Sequence, residues 1–174
     1  MQVLPISRGR PRSDKAHLAI LKAALALTEK TGFRALTIDA IAEQAGVGKT
    51  TIYRRWPNKA AVVMDAFLAL VGPGTRFPDA TSPVHRIKLQ MRLQACFFRS
   101  AKGRMIKVLL GEAQFDPELA EAFRERWIVP RRKMTREVLL EAIRRGELRR
   151  DIDLEATIDL LYGPIYYRPY PYPY

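Results

Sequence analysis

Residues 36–63 read LTIDAIAEQAGVGKTTIYRRWPNKAAVV and contain two short helical patterns on either side of a glycine. In the first pattern the apolar residues recur at the three- and four-residue steps of one helix face, which predicts a helix of about nine residues. Thr37 stands where an N-cap is expected, and Gly46 ends the pattern because glycine readily adopts the left-handed conformation of a helix end. A second short helix should begin at Lys49 and stop before Pro57, which cannot continue a helix.

The Gly-Lys-Thr sequence at 48–50 allows two interpretations, a phosphate-binding loop and the turn of a DNA-reading motif. A Walker-type loop needs a glycine five positions before the glycine of Gly-Lys-Thr, and it needs a buried strand immediately upstream. Here that position is Glu43, which would repel a phosphate, and the upstream segment is an amphipathic helix. The alternative fits each residue: two short helices joined at Gly46 form a helix-turn-helix whose second helix is presented to the major groove.

The same stretch resembles the DNA-binding signature of TetR-type (TetR/AcrR) transcriptional repressors. The matching positions are Thr37, Ile41-Ala42, Ala45-Gly46-Val47, Tyr53, Trp56-Pro57 and Lys59. Two positions depart from the pattern and concern which bases are read: Gly48 replaces a frequent serine, and Thr50 replaces a frequent small residue. The resemblance implies an all-α protein in which three N-terminal helices bind DNA, while a larger C-terminal helical domain dimerises and holds an inducer.

The rest of the chain also has helical patterns and lacks the alternation of strands, so we predict an all-α fold. The predicted organisation is a disordered basic arm at 1–13, a helix-turn-helix DNA-binding domain at 14–60 and a C-terminal helical regulatory and dimerisation domain at 61–174. The glycine- and proline-rich stretch at 72–83 is predicted to be the boundary loop. A long helix beginning at Asp116-Pro117 should be kinked at Pro130.

Composition favours a polyanionic partner. The chain has 30 Lys plus Arg against 18 Asp plus Glu, a formal net charge of +12 and a pI near 10.2. Such a surface attracts phosphates and releases their counterions, which favours double-stranded DNA over the alternative of a merely basic protein. The single Cys96 excludes an internal disulfide and a multi-thiolate zinc site. No apolar stretch approaches the roughly 18 residues of a membrane span, so we expect no membrane partner and a cytoplasmic, bacterial nucleoid-associated protein.

Candidate DNA-binding residues lie in the basic arm and around the second helix of the motif. Lys49, Thr50 and Thr51 open that helix and should face base edges, whereas Tyr53 and Lys59 are placed for phosphates. The arginines of the arm suit a narrow minor groove, although a solvated tail would have the same composition. An ordinary helical hairpin with a solvated polar face is the alternative to a DNA-reading surface. The full set is Arg8, Arg10, Arg12, Thr37, Gly48, Lys49, Thr50, Thr51, Tyr53, Arg54 and Lys59.

Candidate ligand-binding residues are apolar and aromatic side chains that could line a pocket. Their assignment rests on the family resemblance, because residues of this type at helical spacing also form plain core. The resemblance implies a small inducer, and these side chains suggest that it is hydrophobic or aromatic. The set is Met64, Phe67, Met91, Cys96, Phe97, Met105, Leu109, Phe115, Phe123 and Trp127.

Catalysis and metal binding find no support in the sequence. His17 and His85 have no carboxylate or cysteine partner at an informative spacing, and helix-start acids explain Asp116 and its acidic neighbours. We therefore expect no enzymatic activity, no cofactor and no metal. The favoured function is a ligand-responsive repressor that binds a palindromic operator as a homodimer and is released by an inducer; the alternative is a constitutive architectural DNA-binding protein without inducer.

The end of the chain departs from the family pattern. LLYGPIYYR, residues 160–168, resembles the family's penultimate helix, and a final amphipathic helix is expected to follow it. The chain instead reads PYPYPY, whose alternating prolines forbid a helix. Either the natural chain ends unusually, or these residues do not represent the native tail, and the sequence alone does not decide between the two. We therefore expect dimer symmetry, while the second interface helix stays an open question at this point.

Overall fold

A computed structural model describes residues 10–71 and 77–167, and within these ranges it contains helices and no β-strand. The predicted all-α fold is confirmed. Among the described residues we number nine α-helices in chain order: α1 Arg10–Ala35, α2 Ile38–Ala45, α3 Lys49–Tyr53, α4 Lys59–Val71, α5 Pro83–Arg99, α6 Ala101–Glu112, α7 Pro117–Phe123, α8 Val129–Arg144 and α9 Leu154–Tyr167. In these same ranges no helix is both long and apolar enough to cross a membrane.

The chain divides into two compact units between Ala69 and Leu70, nine residues after the predicted domain boundary at 60/61. Most of α4 therefore belongs to the N-terminal unit. Met64 and Phe67 are completely buried there. The near-continuous apolar composition of this helix was the signal for its burial, because a helix that is apolar all round cannot remain in water.

In the N-terminal unit, α1 packs against α2 and α2 packs against α3. Ile20, Ile41 and Ile52, one from each of these helices, are completely buried. A helix as short as α3 is unstable alone in water. The burial of Ile52 therefore fixes which face α3 keeps inside and which side chains it leaves exposed.

The corner between α2 and α3 is closed as the sequence predicts. The hydroxyl of Thr37 accepts a hydrogen bond from the amide of Ala40 at 3.1 Å, which caps the start of α2. At the other end Gly46 adopts the left-handed conformation, with φ 65° and ψ 37°. The Gly46 amide donates to Glu43 O at 3.1 Å and the Val47 amide donates to Ala42 O at 3.0 Å, the paired bonds of a Schellman cap.

The first helix begins earlier than expected. Because α1 starts at Arg10, the prediction of a disordered arm is wrong for residues 10–13. Pro11 is compatible with this start, since the N–H groups of a first helical turn have no intrahelical partner. Gly32 leaves the helical conformation as expected, with φ 79° and ψ 163°, but helical geometry then resumes as far as Ala35. Residues 1–9 lie outside the described residues.

In the C-terminal unit, α5 lies against α6, α8 and α9, and α8 also packs against α9. Its hydrophobic cluster contains Ile87 from α5, Val138 and Leu139 from α8, and Ile158 from α9. Asp116 caps α7 by accepting from the Leu119 amide at 2.9 Å. The two predicted helix starts, at Ser82-Pro83 and at Asp153, are likewise confirmed by side-chain caps.

The long helix predicted to run through residue 130 is interrupted before its proline. Residues Arg124–Ile128 form a π-helical turn, and α8 begins at Val129 with Pro130 in its first turn. The π-helical turn places the residue that cannot donate a backbone hydrogen bond at a helix start, where no donor is needed. The prediction of an irregularity is confirmed, but a wider turn produces it instead of a proline kink inside one helix.

A sharp turn joins α5 to α6 and makes Gly103 necessary. The Ser100 hydroxyl donates to Phe97 O at 2.6 Å and accepts from the Gly103 amide at 3.2 Å. A Cβ at residue 103 would lie 2.5 Å from Phe98 Cα and still closer to Phe97 O, both of them main-chain atoms that cannot rotate away. Gly111, in the same helix, has no atom within 4 Å of the place where its Cβ would be.

We therefore expect opposite effects from alanine at these two glycines. Gly103→Ala should lower the free energy of unfolding by about 2–3 kcal/mol, because overpacking forces the α5–α6 turn apart. Gly111→Ala should raise it by up to about 1 kcal/mol, since alanine favours the helix and meets open space. Urea unfolding followed by circular dichroism measures both, and equal effects of the two substitutions would contradict the tight turn.

Candidate nucleic-acid interface and cavity

The short helix α3 presents a polar surface around one buried anchor. Ile52 is fully buried, whereas Lys49, Thr50 and Arg54 are exposed and Thr51 is half-buried. Tyr53, with 55% of its surface exposed, lies at the end of the helix. These are hydrogen-bonding side chains of the kinds that contact base edges and phosphates.

Thr37 and Gly48 have local structural tasks as well. The Thr37 hydroxyl caps α2, which leaves its second lone pair free for another donor. Gly48 precedes α3 in an extended conformation, with φ −73° and ψ 146°, and has no side chain to cap the helix. A Cβ there would meet only the Thr50 hydroxyl at 3.6 Å, an ordinary contact. The backbone therefore does not require glycine at this position.

Lys49 is held by a carboxylate at the start of the preceding helix. Its ammonium lies 2.8 Å from Asp39 Oδ1 and 2.9 Å from Asp39 Oδ2. The hydrogen bond and the charge of Asp39 raise the pKa of Lys49 above its ordinary value. Both side chains are more than half exposed, and such surface pairs are weak because water competes for the charges. A phosphate or a base edge can therefore replace Asp39 at little cost.

Lys59 occupies a position different from the one predicted. Its ammonium donates to three main-chain oxygens, Phe33 O at 3.1 Å, Arg34 O at 3.2 Å and Leu36 O at 3.0 Å. It also lies 4.7 Å from the centre of the Phe33 ring. An ammonium group has three hydrogens, so these acceptors occupy its donor capacity. The geometry contradicts the placement of Lys59 on a phosphate and gives it the role of joining α4 to the corner between α1 and α2.

Trp56 has a structural role that the sequence reasoning missed. Its ring is almost fully buried, and its Nε1 donates to Asp65 Oδ2 at 2.6 Å. The His17 ring stacks on it with the centroids 5.2 Å apart. Trp56 thereby connects α1 and α4 immediately after the exposed helix α3. The aromatic residue before Pro57 was the available signal, since a large aromatic side chain is rarely left in water.

The C-terminal unit contains a cavity of about 300 Å³ between α5, α6, α7, α8, α9 and the π-helical turn. Part of its wall is apolar and comes from Leu110, Phe123, Ile128 and Ile158. Polar groups also reach it, from Gln94, Arg131, Arg132, Asp159, Tyr162 and Tyr166. Cavities that combine an apolar wall with a few convergent polar groups are typical of small-molecule sites.

Arg131 and two aromatic side chains form a compact group at this cavity. The Arg131 guanidinium carbon lies 3.3 Å from the centre of the Trp127 ring, and Nη1 donates to Trp127 O at 3.1 Å. Trp127 Nε1 in turn donates to the Tyr166 hydroxyl oxygen at 2.8 Å. Burial lowers the pKa of Arg131 to about 10. Burial also raises the pKa of Tyr166 above its ordinary value, so at neutral pH the phenol keeps its proton.

Both compact units match models of one protein family. Residues 20–66 match the model for bacterial regulatory proteins of the tetR family, and residues 77–170 match the tetracyclin repressor-like C-terminal domain. The chain belongs to the TetR family.

Relatives of this TetR-family chain are also regulators. It is 47% identical over 161 residues to the HTH-type transcriptional regulator YdeS of Bacillus subtilis, covering 92% of this chain and 81% of YdeS. The crystal structure of the TetR family transcription regulator SCO0332 superposes with a TM-score of 0.71 at 32% identity, over 89% of this chain and 86% of that one. The flavonoid-responsive regulator FrrA gives a TM-score of 0.67 at 25% identity, over 86% and 79%. The protein is thus a DNA-binding transcriptional regulator.

Only some of the residues predicted to line a ligand pocket lie in the wall of one of the two cavities. Phe123 lines the 300 Å³ cavity, and Met91 lines a second, more open cavity of about 620 Å³. Trp127 packs against Arg131, which lines the first cavity. Leu109 is completely buried. Phe97 and Met105 are half-buried, and neither of these two cavities has them in its wall.

Four of the predicted pocket residues lie away from both of these cavities. Met64 and Phe67 lie in the core of the N-terminal unit. Phe115 follows α6 in a turn and has 77% of its surface exposed, and Cys96 is exposed on α5. The sequence reasoning missed the polar lining because arginine and tyrosine are common throughout this sequence. Only the folded structure shows which of these residues meet at the cavity.

The predicted arm lies largely beyond the described structure. Arg8 is among residues 1–9, and for Arg10 and Arg12 only the helical backbone is described. Contacts of these three arginines with a minor groove therefore remain a prediction.

The carbonyl cluster around Lys59 predicts a stability defect in place of a lost phosphate contact. Lys59→Met should lower the free energy of unfolding by about 2–3 kcal/mol, because three carbonyls lose a charged donor. Lys30→Met, at an exposed site on α1, is the matched control and should change stability little. In the folded Lys59→Met protein the slope of log affinity for DNA against log salt should equal that of the wild type. A slope reduced by about one would show instead that Lys59 contacts a DNA phosphate.

Proposed function

We propose that this TetR-family regulator is a ligand-responsive repressor that binds a palindromic operator as a homodimer and leaves it when a small hydrophobic or aromatic inducer occupies the cavity. The observation that carries the proposal is the coexistence of an exposed recognition helix in one unit with a partly polar cavity in the other. It acts in the cytoplasm, at the nucleoid, and performs no catalysis. An architectural DNA-binding protein would need the exposed helix but would have no use for the cavity.

Direct base reading is assigned to the first turn of α3. Thr50 is exposed beside Lys49, whose partner Asp39 is exchangeable, and Thr51 lies one residue further on. Tyr53 and Arg54 follow at the end of the helix, where they suit phosphates. Thr37 and Gly48 supply a hydroxyl and an unobstructed backbone at the two helix starts. Contacts with the minor groove are assigned to the arginines at positions 8, 10 and 12, as the composition of this segment predicts.

Substitution of Lys49 separates base reading from general attraction to DNA. Lys49→Ala should weaken operator binding about tenfold or more and relax the preference at particular base pairs, while binding to random DNA falls much less. Tyr53→Phe should weaken both DNAs about equally, because a phosphate contact carries no sequence information. Fluorescence anisotropy with an operator obtained by selection from genomic fragments measures each affinity. Equal losses on both DNAs for Lys49→Ala would assign this lysine to the backbone.

A homodimer is supported by the outward face of α9. Ala156, Leu160, Gly163 and Pro164 follow one another at steps of four, three and one residues and are all exposed. Leu160 has 77% of its surface exposed, and a Cβ on Gly163 would meet open space. An apolar stripe of this kind, with a glycine that permits close approach, suits a second copy of the same helix around a twofold axis. Twofold symmetry in turn matches a palindromic operator.

A charge in this stripe should separate the protomers. Leu160→Glu is expected to give a folded monomer, because an exposed residue is changed and two carboxylates would face each other across the axis. Val108→Glu, at a 56% exposed site on α6, is the control and should remain dimeric. Sedimentation equilibrium measures the mass of each variant. A dimer that survives Leu160→Glu with undiminished affinity would place the interface elsewhere.

The cavity and the dimer stripe share one helix, which offers a route for release. Ile158, Tyr162 and Tyr166 of α9 face the cavity at steps of four, while Leu160 and Gly163 lie on its outward side. A ligand that binds one position of α9 better than another therefore shifts the dimer geometry, and with it the spacing of the two recognition helices. The name of the relative FrrA, a flavonoid-responsive regulator, is consistent with an aromatic effector.

The proposed function is tested by adding candidate ligands to the protein–operator complex. A set of aromatic and long-chain compounds should contain members that raise the melting temperature of the free protein and also release the operator. A protein that binds its operator with the same affinity in the presence of every stabilising compound would be the architectural alternative. The two readouts use the same samples, so stabilisation without release is recognised at once.

A further inference from the structure

We infer that the inducer is a small hydrophobic anion, a carboxylate on an aromatic or aliphatic body, and that Arg131 and Tyr166 bind its charged end in the 300 Å³ cavity. The inference rests on the proposed ligand response and adds the chemical class of the ligand. It follows from a cation, a phenol and an amide whose hydrogen-bonding capacity is incompletely used, and from the apolar walls that surround them.

Arg131 is a cation that has no counterion among the described residues. Its Nη1 donates to Trp127 O and its plane lies over the Trp127 ring, but Nε is buried with no acceptor. Across residues 10–71 and 77–167, no carboxylate forms an ion pair with Arg131. A buried guanidinium is costly unless a negative group accompanies it. The depression of its pKa to about 10 through burial has the same origin, and at neutral pH the guanidinium keeps its charge.

The carboxylates nearest to this cation are already engaged by another arginine. Arg132 lies next in the chain and donates to Glu155 and to Asp159. Arg136 donates to Glu155 as well, at 2.7 Å. These ion pairs link α8 to α9, and two of their members, Arg132 and Asp159, also line the cavity. Their charges are paired with each other, so Arg131 is the cation of the cavity wall that has no ion pair among the described residues and can bind an anionic ligand.

Two further groups can bind the same anion. The Tyr166 hydroxyl accepts from Trp127 Nε1, so its own hydrogen remains available to donate. Gln94 Oε1 is buried without a hydrogen-bond partner, and rotation of its amide by half a turn would offer the nitrogen in its place. A carboxylate can accept from a guanidinium and a phenol simultaneously, whereas an alcohol carries no charge to neutralise Arg131.

The size of the cavity limits the body of the ligand. A volume of about 300 Å³ is at the lower end of the range for small-molecule sites, which suits one or two aromatic rings or a medium-length acyl chain. Leu110, Phe123, Ile128 and Ile158 supply the apolar contacts. The larger cavity is less suited to an anchored anion, since two of its three basic residues, Arg92 and Arg99, are exposed to water, which screens their charge, and the third, Lys107, is only half-buried.

The test compares acids with neutral compounds of the same shape. The probes are 2-naphthoate, benzoate and decanoate, each paired with its primary amide, and binding to the full-length protein is measured by isothermal titration calorimetry without DNA. We expect at least one acid to bind about ten- to a hundredfold more tightly than its amide, because charge-assisted hydrogen bonds form only with the anion. Equal affinity within every pair, or no binding by any acid, would overturn the inference.

Variants assign the preference to Arg131. Arg131→Met should abolish the preference for the acid while leaving the affinity for the amide nearly unchanged, and Arg131→Lys should restore part of it. Lys133→Met removes the same charge from an exposed site on the same helix and should keep the full preference. Circular dichroism confirms that each variant is folded. If Arg131→Met is unfolded, Tyr166→Phe serves in its place and should reduce the preference several-fold. A preference that persists unchanged in the folded variants would overturn the role of Arg131.

Operator release is measured separately, so that the two proposals can fail independently. Acids that bind through Arg131 but leave the operator bound would contradict the proposed function and still support the anion site. An amide that binds and releases the operator as well as its acid would support the ligand response and overturn the anion site.

Discussion

The ammonium group of Lys59 connects three parts of the N-terminal unit through one set of hydrogen bonds. It donates to the carbonyls of Phe33 and Arg34, which follow the break at Gly32 near the end of α1, and to the carbonyl of Leu36 between α1 and α2. Carbonyl groups near a helix end lack some of their intrahelical partners, and a charged donor can bind several of them together. Trp56 strengthens the same connection through Asp65. The exposed helix α3 lies in sequence between the corner that Lys59 binds and Trp56, so its orientation depends on both. A helix of five residues could not otherwise hold its side chains in a fixed arrangement.

Two lysines of the motif carry the same charge but have different roles. Lys59 is bound to main-chain oxygens that do not move away, whereas Lys49 is bound to one exposed carboxylate that water and phosphate can replace. The difference lies in what surrounds each ammonium group and in its exposure to solvent, because Coulomb attraction is weak in water and three fixed carbonyls surround that of Lys59. The arginines of the C-terminal unit show the same division. Arg132 holds α8 to α9 through paired acids, and its neighbour Arg131 carries a charge that no acid of the described chain neutralises.

The helix α9 joins these features to the proposed regulation. One side of it supplies Tyr162 and Tyr166 to the cavity, and the opposite side exposes Leu160 and Gly163. The 3.6-residue period of a helix places both sets on one rigid element, so a shift caused by a ligand on one side is transmitted directly to the other. The half-buried ion pair between Arg86 and Glu141 holds α5 against α8, across the same cluster that Ile158 of α9 enters. Displacement of α9 therefore changes contacts that the whole C-terminal unit shares.

The sequence by itself determined the helical class, the helix-turn-helix and most helix ends, because these depend on interactions between residues close along the chain. The cap of Thr37 on Ala40, the left-handed Gly46 and the start at Asp116-Pro117 each involve neighbours within a few positions. Only the tertiary structure decided what Lys59 binds, since its acceptors lie more than twenty residues away. The same holds for the cavity: Phe115 is as apolar as Phe123, yet one is exposed and the other lines the site. The arginine that meets the cavity is one of many in this basic chain, and its unpaired charge becomes visible only when α8 and α9 bring their side chains together. Local spacing records which residues share a helix face, but not which faces meet.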